Sequence, residues 1–128
     1  MRRMISKSEL REYIHLSGDQ NPLFSDLELA HKLGFRDTPV PGPLFGSLFS
    51  CLLGTRLPGR GTNWLKQKLF FPAPAYPSEE LEAQVEITRI RPEKDLVNLR
   101  GWVRNPAGDV VCEGESLVLV KDLENTKD

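Results

Sequence analysis

YIHLSGDQNPLFSD, residues 13–26, sets a carboxylate, Asp19, and a carboxamide, Asn21, two positions apart in a loop that Gly18 opens and Pro22 closes. Gly, Asp, Asn and Pro are turn-formers: Gly supplies positive φ, Pro a fixed φ, and Asp and Asn bond backbone amides two residues on. On composition alone the segment is a turn between two helices. Upstream, Ser6-x-x-Glu9 has the spacing of a capping box, in which hydroxyl and carboxylate each satisfy the other residue's amide. Leu10, Tyr13 and Ile14, with Leu16 as a further candidate, give an apolar stripe at helical spacing, and Gly18 is a natural stop. Downstream, Ser25 or Asp26 caps a second short helix through Leu27, Leu29, Ala30 and Leu33 to Gly34. The next stretch, RDTPVPGP (36–43), holds three prolines and is extended.

PLFGSLFSCLL (43–53) is a third helix, with Pro43 suited to its first position and Gly54 to its stop. It is apolar almost all round, the mark of a helix enclosed by other elements rather than resting on them. Gly46, Ser47 and Ser50 recur at three- and four-residue spacing, so one face permits close approach. From residue 63 the period changes to two. Strands are expected over 63–72, 81–90, 95–104 and 109–120. The phase slips near Gly114, which predicts a bulge there. RPEKD (91–95) and NPAGD (105–109) are turn sequences, so the last three strands form an antiparallel meander. Only MRRMI precedes the capping box, so any strand ahead of the first helix is very short or absent. The expected class is α+β, an antiparallel sheet wrapped around a buried central helix. One short sheet cannot cover so apolar a helix, so a homodimer is expected.

The 128 residues favour one domain, 1–128, large enough to bury about two-thirds of the unfolded chain's surface. Lys plus Arg number 17 and Asp plus Glu 18, a net charge of −1 that gives no bulk attraction to nucleic acid or membrane. No apolar run approaches a membrane span, and MRRMISKSE has no apolar core of a signal peptide, so a cytoplasmic protein is expected. Two cysteines, Cys51 and Cys112, and two histidines, His15 and His31, are too few and too scattered for a zinc site. No metal or cofactor is expected, and both cysteines read as reduced core residues. His15 and His31 read as surface helix residues. Trp64, Phe70 and Phe71 read as core or dimer-interface residues. Arg56 and Arg60 flank a Pro-Gly loop and are placed either for coenzyme A phosphates or, more commonly, for solubility.

Leu16-Ser17-Gly18-Asp19-x-Asn21-Pro22-Leu23 resembles the signature of the MaoC-like, (R)-specific enoyl-CoA hydratases, whose fold is the hot dog. The resemblance extends through Phe35, Pro39, Pro41-Gly42, SLFSCLLGTRLPGRGT (47–62) and FFPAPAYPSEEL (70–81), and covers about residues 5–120. It implies a lyase of fatty-acid metabolism that adds water across the 2,3-double bond of an acyl thioester carried by coenzyme A or a carrier protein. It also implies site positions. Asp19 falls on the family's catalytic Asp and Asn21 on its Asn. Gly42, at a helix N-terminus, falls on the donor to the thioester oxygen, and Ser50 on a serine lining the site. The family's second catalytic group, a His five residues after the Asp, is here Phe24, which can neither accept nor donate a proton. Pro41 stands where a His usually precedes the Gly.

These substitutions leave three readings open: a weak or altered hydratase, a non-catalytic acyl-CoA or acyl-carrier binding module or interaction subunit, and a thioesterase using Asp19. The third is weakened because residues 43–54 carry no acid or amide.

Overall fold

A computed structural model describes residues 1–121. The tail expected to fray over 122–128 lies outside the described residues. β1 (Arg2–Met4) leads into α1 (Lys7–Ser17), and a single 3-10 turn, Pro22–Phe24, separates α1 from α2 (Leu27–Lys32). α3 (Gly42–Thr55) follows, then four strands: β2 (Thr62–Phe70), β3 (Glu80–Arg91), β4 (Leu96–Arg104) and β5 (Val110–Val120). All join one antiparallel sheet in the order β1-β3-β4-β5-β2. The strand ahead of the first helix is present and three residues long.

The local signals act as expected. Glu9 N–H donates to Ser6 Oγ at 3.0 Å and Ser6 N–H donates to Glu9 Oε1 at 3.2 Å, closing the capping box. Gly18 ends α1 at φ +71°, a conformation that glycine adopts without cost. Asp26, rather than Ser25, caps α2, its Oδ1 accepting from Leu29 N–H at 3.2 Å. The proline-rich stretch is pinned to the strand half where Val40 N–H donates to Ala75 O at 2.8 Å.

α3 crosses the inner face of the sheet and touches β2 and β3. Phe45, Leu48, Phe49, Leu52 and Leu53 are buried against Leu81, Ala83, Leu99, Val103, Val111 and Val118. Phe49 fixes the seat of the helix. Gly101 and Gly114 are cross-strand partners beneath it. A Cβ on Gly101 would come within 2.6 Å of the Phe49 ring and one on Gly114 within 3.0 Å. The two glycines therefore form the pit that accepts the ring.

This corrects two expectations. Gly114 is regularly paired, so it marks close packing and not a bulge. The irregularity in β5 falls at Val111, between the pairs Val103↔Cys112 and Arg104↔Val110, with others at Leu65 in β2 and Thr88 in β3. Nor is α3 enclosed on every side. Pro43, Ser47, Ser50, Cys51 and Thr55 are exposed along one stripe. Cys51 is thus a surface thiol and not a core residue, while Cys112 is buried. The stripe is the small, hydroxyl-bearing side of the helix, and the sheet takes the Phe and Leu side because more apolar area is removed from water there. No helix among the described residues is long and apolar enough to cross a membrane.

Candidate active site

The loop 17–25 is built from side chains that each bond an amide two residues on. Asp19 N–H donates to Ser17 Oγ at 3.1 Å, Asn21 N–H to Asp19 Oδ1 at 3.0 Å, and Leu23 N–H to Asn21 Oδ1 at 3.1 Å. Three polar side chains thereby hold a loop that has little regular structure of its own. Asp19 is half-buried and Asn21 exposed. One carboxylate oxygen of Asp19 holds the loop, while Oδ2 makes no hydrogen bond among the described residues. Phe24 ends the 3-10 turn, half-buried, its N–H donating to Asn21 O at 3.1 Å.

Gly42 is the first residue of α3, and Pro41 before it offers no side-chain cap. A helix leaves its first amides without intrahelical partners. Here Pro43 has no N–H, and Leu44 N–H donates to Pro41 O at 3.1 Å. The two prolines thus leave Gly42 N–H as the lone first-turn donor at its end of the helix, where the dipole favours developing negative charge. Glycine is required there for space: a Cβ would come within 2.8 Å of the Phe71 ring. Phe71 in turn packs on Phe45, with ring centroids 5.7 Å apart.

From Gly42 an open cleft of about 740 Å³ runs along the exposed stripe of α3, lined also by Gly46, Ser47, Ser50, Trp64, Gln67 and Phe71. Ser47 donates to Leu44 O at 2.6 Å, whereas Ser50 spends no hydrogen bond on its helix among the described residues. Gln67 is fixed from both ends: its Nε2 donates to Lys68 O at 3.0 Å and its Oε1 accepts from Ser116 Oγ. Gly42 and Ser50 therefore share one apolar cleft. Asp19, Asn21 and Phe24 do not line it.

Trp64, Gln67 and Phe71 were not legible as cleft residues in the sequence. The bulge at Leu65 breaks the alternation of β2, so positions 64, 67, 69 and 71 face the helix, and no residue type announces that shift. The intervening Lys66 and Lys68 lie on the other face of the strand. There they line a second cleft, of about 440 Å³, with Arg89, Arg91 and Arg100. His15 and His31 are exposed, and His31 Nε2 lies 3.0 Å from Arg36 O. Arg56 and Arg60 are exposed. Among the described residues no group of three or more His, Cys, Asp or Glu could hold a metal ion.

The profile of the FAS1-like dehydratase domain region matches residues 1–114. An (R)-specific enoyl-CoA hydratase of Aeromonas caviae is 37% identical over 111 residues, covering 87% of this chain and 83% of the relative. A mitochondrial 3-hydroxyacyl-acyl-carrier-protein dehydratase of Solanum lycopersicum is 32% identical over 123 residues, covering 94% and 73%. Among solved structures, the (R)-hydratase from A. caviae involved in PHA biosynthesis superposes with a TM-score of 0.88 at 34% identity, covering 94% of this chain and 92% of that one.

Proposed function

Because the chain belongs to the MaoC-like, FAS1-like dehydratase family with the hot-dog fold, we propose that it binds acyl thioesters along α3 and slowly hydrates trans-2-enoyl-CoA or the carrier-protein equivalent. The observation that carries this reading is the cleft that starts at the lone helix-terminal amide of Gly42 and continues along an open, small-residue helix face. The thioester oxygen accepts from Gly42 N–H, which stabilises the enolate-like charge that develops when water adds. Asp19, which does not line the cleft of its own chain and in this proposal is brought to the cleft by a second copy, takes a proton from the water that attacks the β-carbon and returns it to the α-carbon. Asn21 holds the loop that presents Asp19. Phe24 replaces the second proton-handling group with a ring, so turnover is low.

A homodimer completes the proposal. β2 is a sheet edge whose exposed apolar side chains would be covered by a second copy. Phe24 also favours a second reading, an acyl-thioester binding module without turnover.

Two measurements separate these. Calorimetric titration with saturated acyl-CoAs reads binding, and loss of enoyl-thioester absorbance reads hydration. Binding with slow hydration that Asp19→Ala abolishes is the expected result. Binding with no hydration leaves the module. No binding of any acyl-CoA or acyl-carrier thioester overturns both.

A further inference from the structure

Two strands change phase in a way that turns cations onto the outer face of the sheet. In β2, Trp64 packs on the core, and the shift at Leu65 turns Lys66 and Lys68 outward. In β3, Leu81, Ala83, Val85 and Ile87 face the core, and the shift at Thr88 turns Arg89 and Arg91 outward. Unbroken alternation would have aimed all four at the core. Bulges that re-aim side chains are over-represented beside working sites.

β4 and β5 lie between these strands. One cross-strand row runs Lys66, Leu117, Asn98, Arg89, and the next runs Lys68, Glu115, Arg100. Asn98 and Leu117 are shorter than the cations on either side, and the outer cleft of about 440 Å³ is the space this leaves. Lys66 and Lys68 form one wall, Arg89 and Arg91 the other, and Arg100 rises between them. Two of the guanidinium groups are positioned: Arg91 Nη2 donates to Asn98 Oδ1 at 2.9 Å, and Arg100 sits 5.3 Å from the centre of the Trp102 ring.

Five cations and one carboxylate, Glu115, line this cleft. None of the five makes an ion pair among the described residues, whereas Arg2, Arg3, Lys7 and Arg36 all do. Like charges gathered on neighbouring strands destabilise the sheet, so the cluster calls for an anion. Five cations against one carboxylate leave an excess of four, which two phosphate groups at about −1.5 to −2 each would balance. Arginine forks match phosphate oxygens two at a time. No aromatic ring lines the cleft for a nucleic-acid base to stack on. A protein partner would spread over about 800 Å² rather than enter a cleft. An edge-to-edge dimer through β2 leaves this face uncovered, because the second sheet continues the first.

We propose that the outer face of the sheet holds a site for a small anion with two adjacent phosphate groups, separate from the cleft along α3. The experiment titrates the full chain with inorganic pyrophosphate and with inorganic phosphate at matched ionic strength. Pyrophosphate is expected to bind once per chain, at least about tenfold tighter than phosphate, because a second charge-assisted group is engaged. The same affinity is expected with octanoyl-CoA present at saturation. Lys66→Gln and Arg89→Gln, from opposite walls, should each weaken pyrophosphate about tenfold, while Arg11→Gln, an exposed cation of α1, leaves it unchanged. Without pyrophosphate and at low salt, the urea midpoints of both cleft variants should hold or rise, since repulsion is relieved, which also shows that they are folded. The wild-type comparison of the two anions stands even where a variant fails to fold. Equal affinity for pyrophosphate and phosphate, or binding of neither, overturns the inference, as does pyrophosphate affinity unchanged in both cleft variants. Displacement of pyrophosphate by octanoyl-CoA overturns the separate site and gives these cations to the coenzyme's own phosphates. Pyrophosphate binding with no binding of any acyl thioester leaves this inference standing and removes the acyl-thioester reading.

Discussion

In the proposed hydration, Phe24 is the residue that limits turnover. It is half-buried at the end of the 3-10 turn that Asn21 caps, five residues after Asp19. Imidazole is close to it in size, so Phe24→His should keep the turn and supply a second proton-handling group. Hydration of a short trans-2-enoyl-CoA is expected to rise by at least about tenfold, a small part of what a well-placed acid–base group contributes. The gain should vanish when Asp19→Ala is added. A wild type already as fast as the variant would show that another side chain serves. The cysteines offer a second residue-scale test. Burial, with the Glu113 charge beside it, pushes the Cys112 thiol up to about 12. The folded state thus keeps this thiol protonated, whereas the unfolded chain ionises it near ~8.5. Its contribution to stability is complete below that pH and is lost as pH rises toward about 12. Wild type should therefore lose more stability than Cys112→Ala as pH rises above ~8.5, measured by urea midpoints. Iodoacetamide should label Cys51 in the folded protein and Cys112 only after unfolding, read by mass spectrometry.

Among the elements, α1 and α3 are held by different physics. α1 depends on its cap. The Ser6 amide, and then Arg3, hold the Glu9 carboxyl below the ordinary carboxylate range. That contribution is present above the unfolded pKa of about 4.3 and is lost as pH falls through the lower folded value. Ser6→Ala should cost about 1 kcal/mol near neutral pH. α3 depends on packing. Gly101→Ala would drive a methyl into the buried Phe49 ring, whose neighbours on β4 and β5 leave it nowhere to move. The expected loss is about 1–3 kcal/mol, the usual cost of overpacking, seen as a lower urea midpoint at unchanged slope. Gly108→Ala has open space around its Cβ, but it sits at φ +89° and suffers backbone strain instead.

For the whole molecule, the decisive surface is the free edge of β2. Leu65 is 51% exposed, Phe70 63% and Phe71 45%, all on or next to this strand. An exposed apolar edge is a template for pairing. The opposite edge, β1, offers only three residues. Light scattering at micromolar concentration should therefore give the mass of two chains. Leu65→Lys with Phe70→Lys should give one chain that is still folded. A wild-type monomer would remove the dimer from the proposal. It would also leave Asp19, which does not line the cleft of its own chain, without a partner copy to bring it there.

The sequence by itself determined the elements and the family. Capping residues, glycine stops and the change of period from helical to alternating are local, and the Asp19–Asn21 spacing with its flanks identified the hydratase family. Gly42 and Ser50 were candidate site positions through the family resemblance, and the structure places both on one helix beside one cleft. The tertiary structure decided what depends on approach between distant segments. Gly114 reads in the sequence as a bulge because its need for space comes from Phe49, sixty-five residues away in the chain. Cys51 reads in the sequence as a core residue because the helix is apolar almost all round, and only the sheet selects which side is covered. Gln67 and Phe71 joined Trp64 on the cleft only because a bulge at Leu65 shifted the alternation of β2, and Thr62 Oγ1 and Trp64 Nε1 are left buried and unpaired among the described residues. Hydrogen-bond satisfaction is a property of surroundings, and no residue carries its surroundings in its own name.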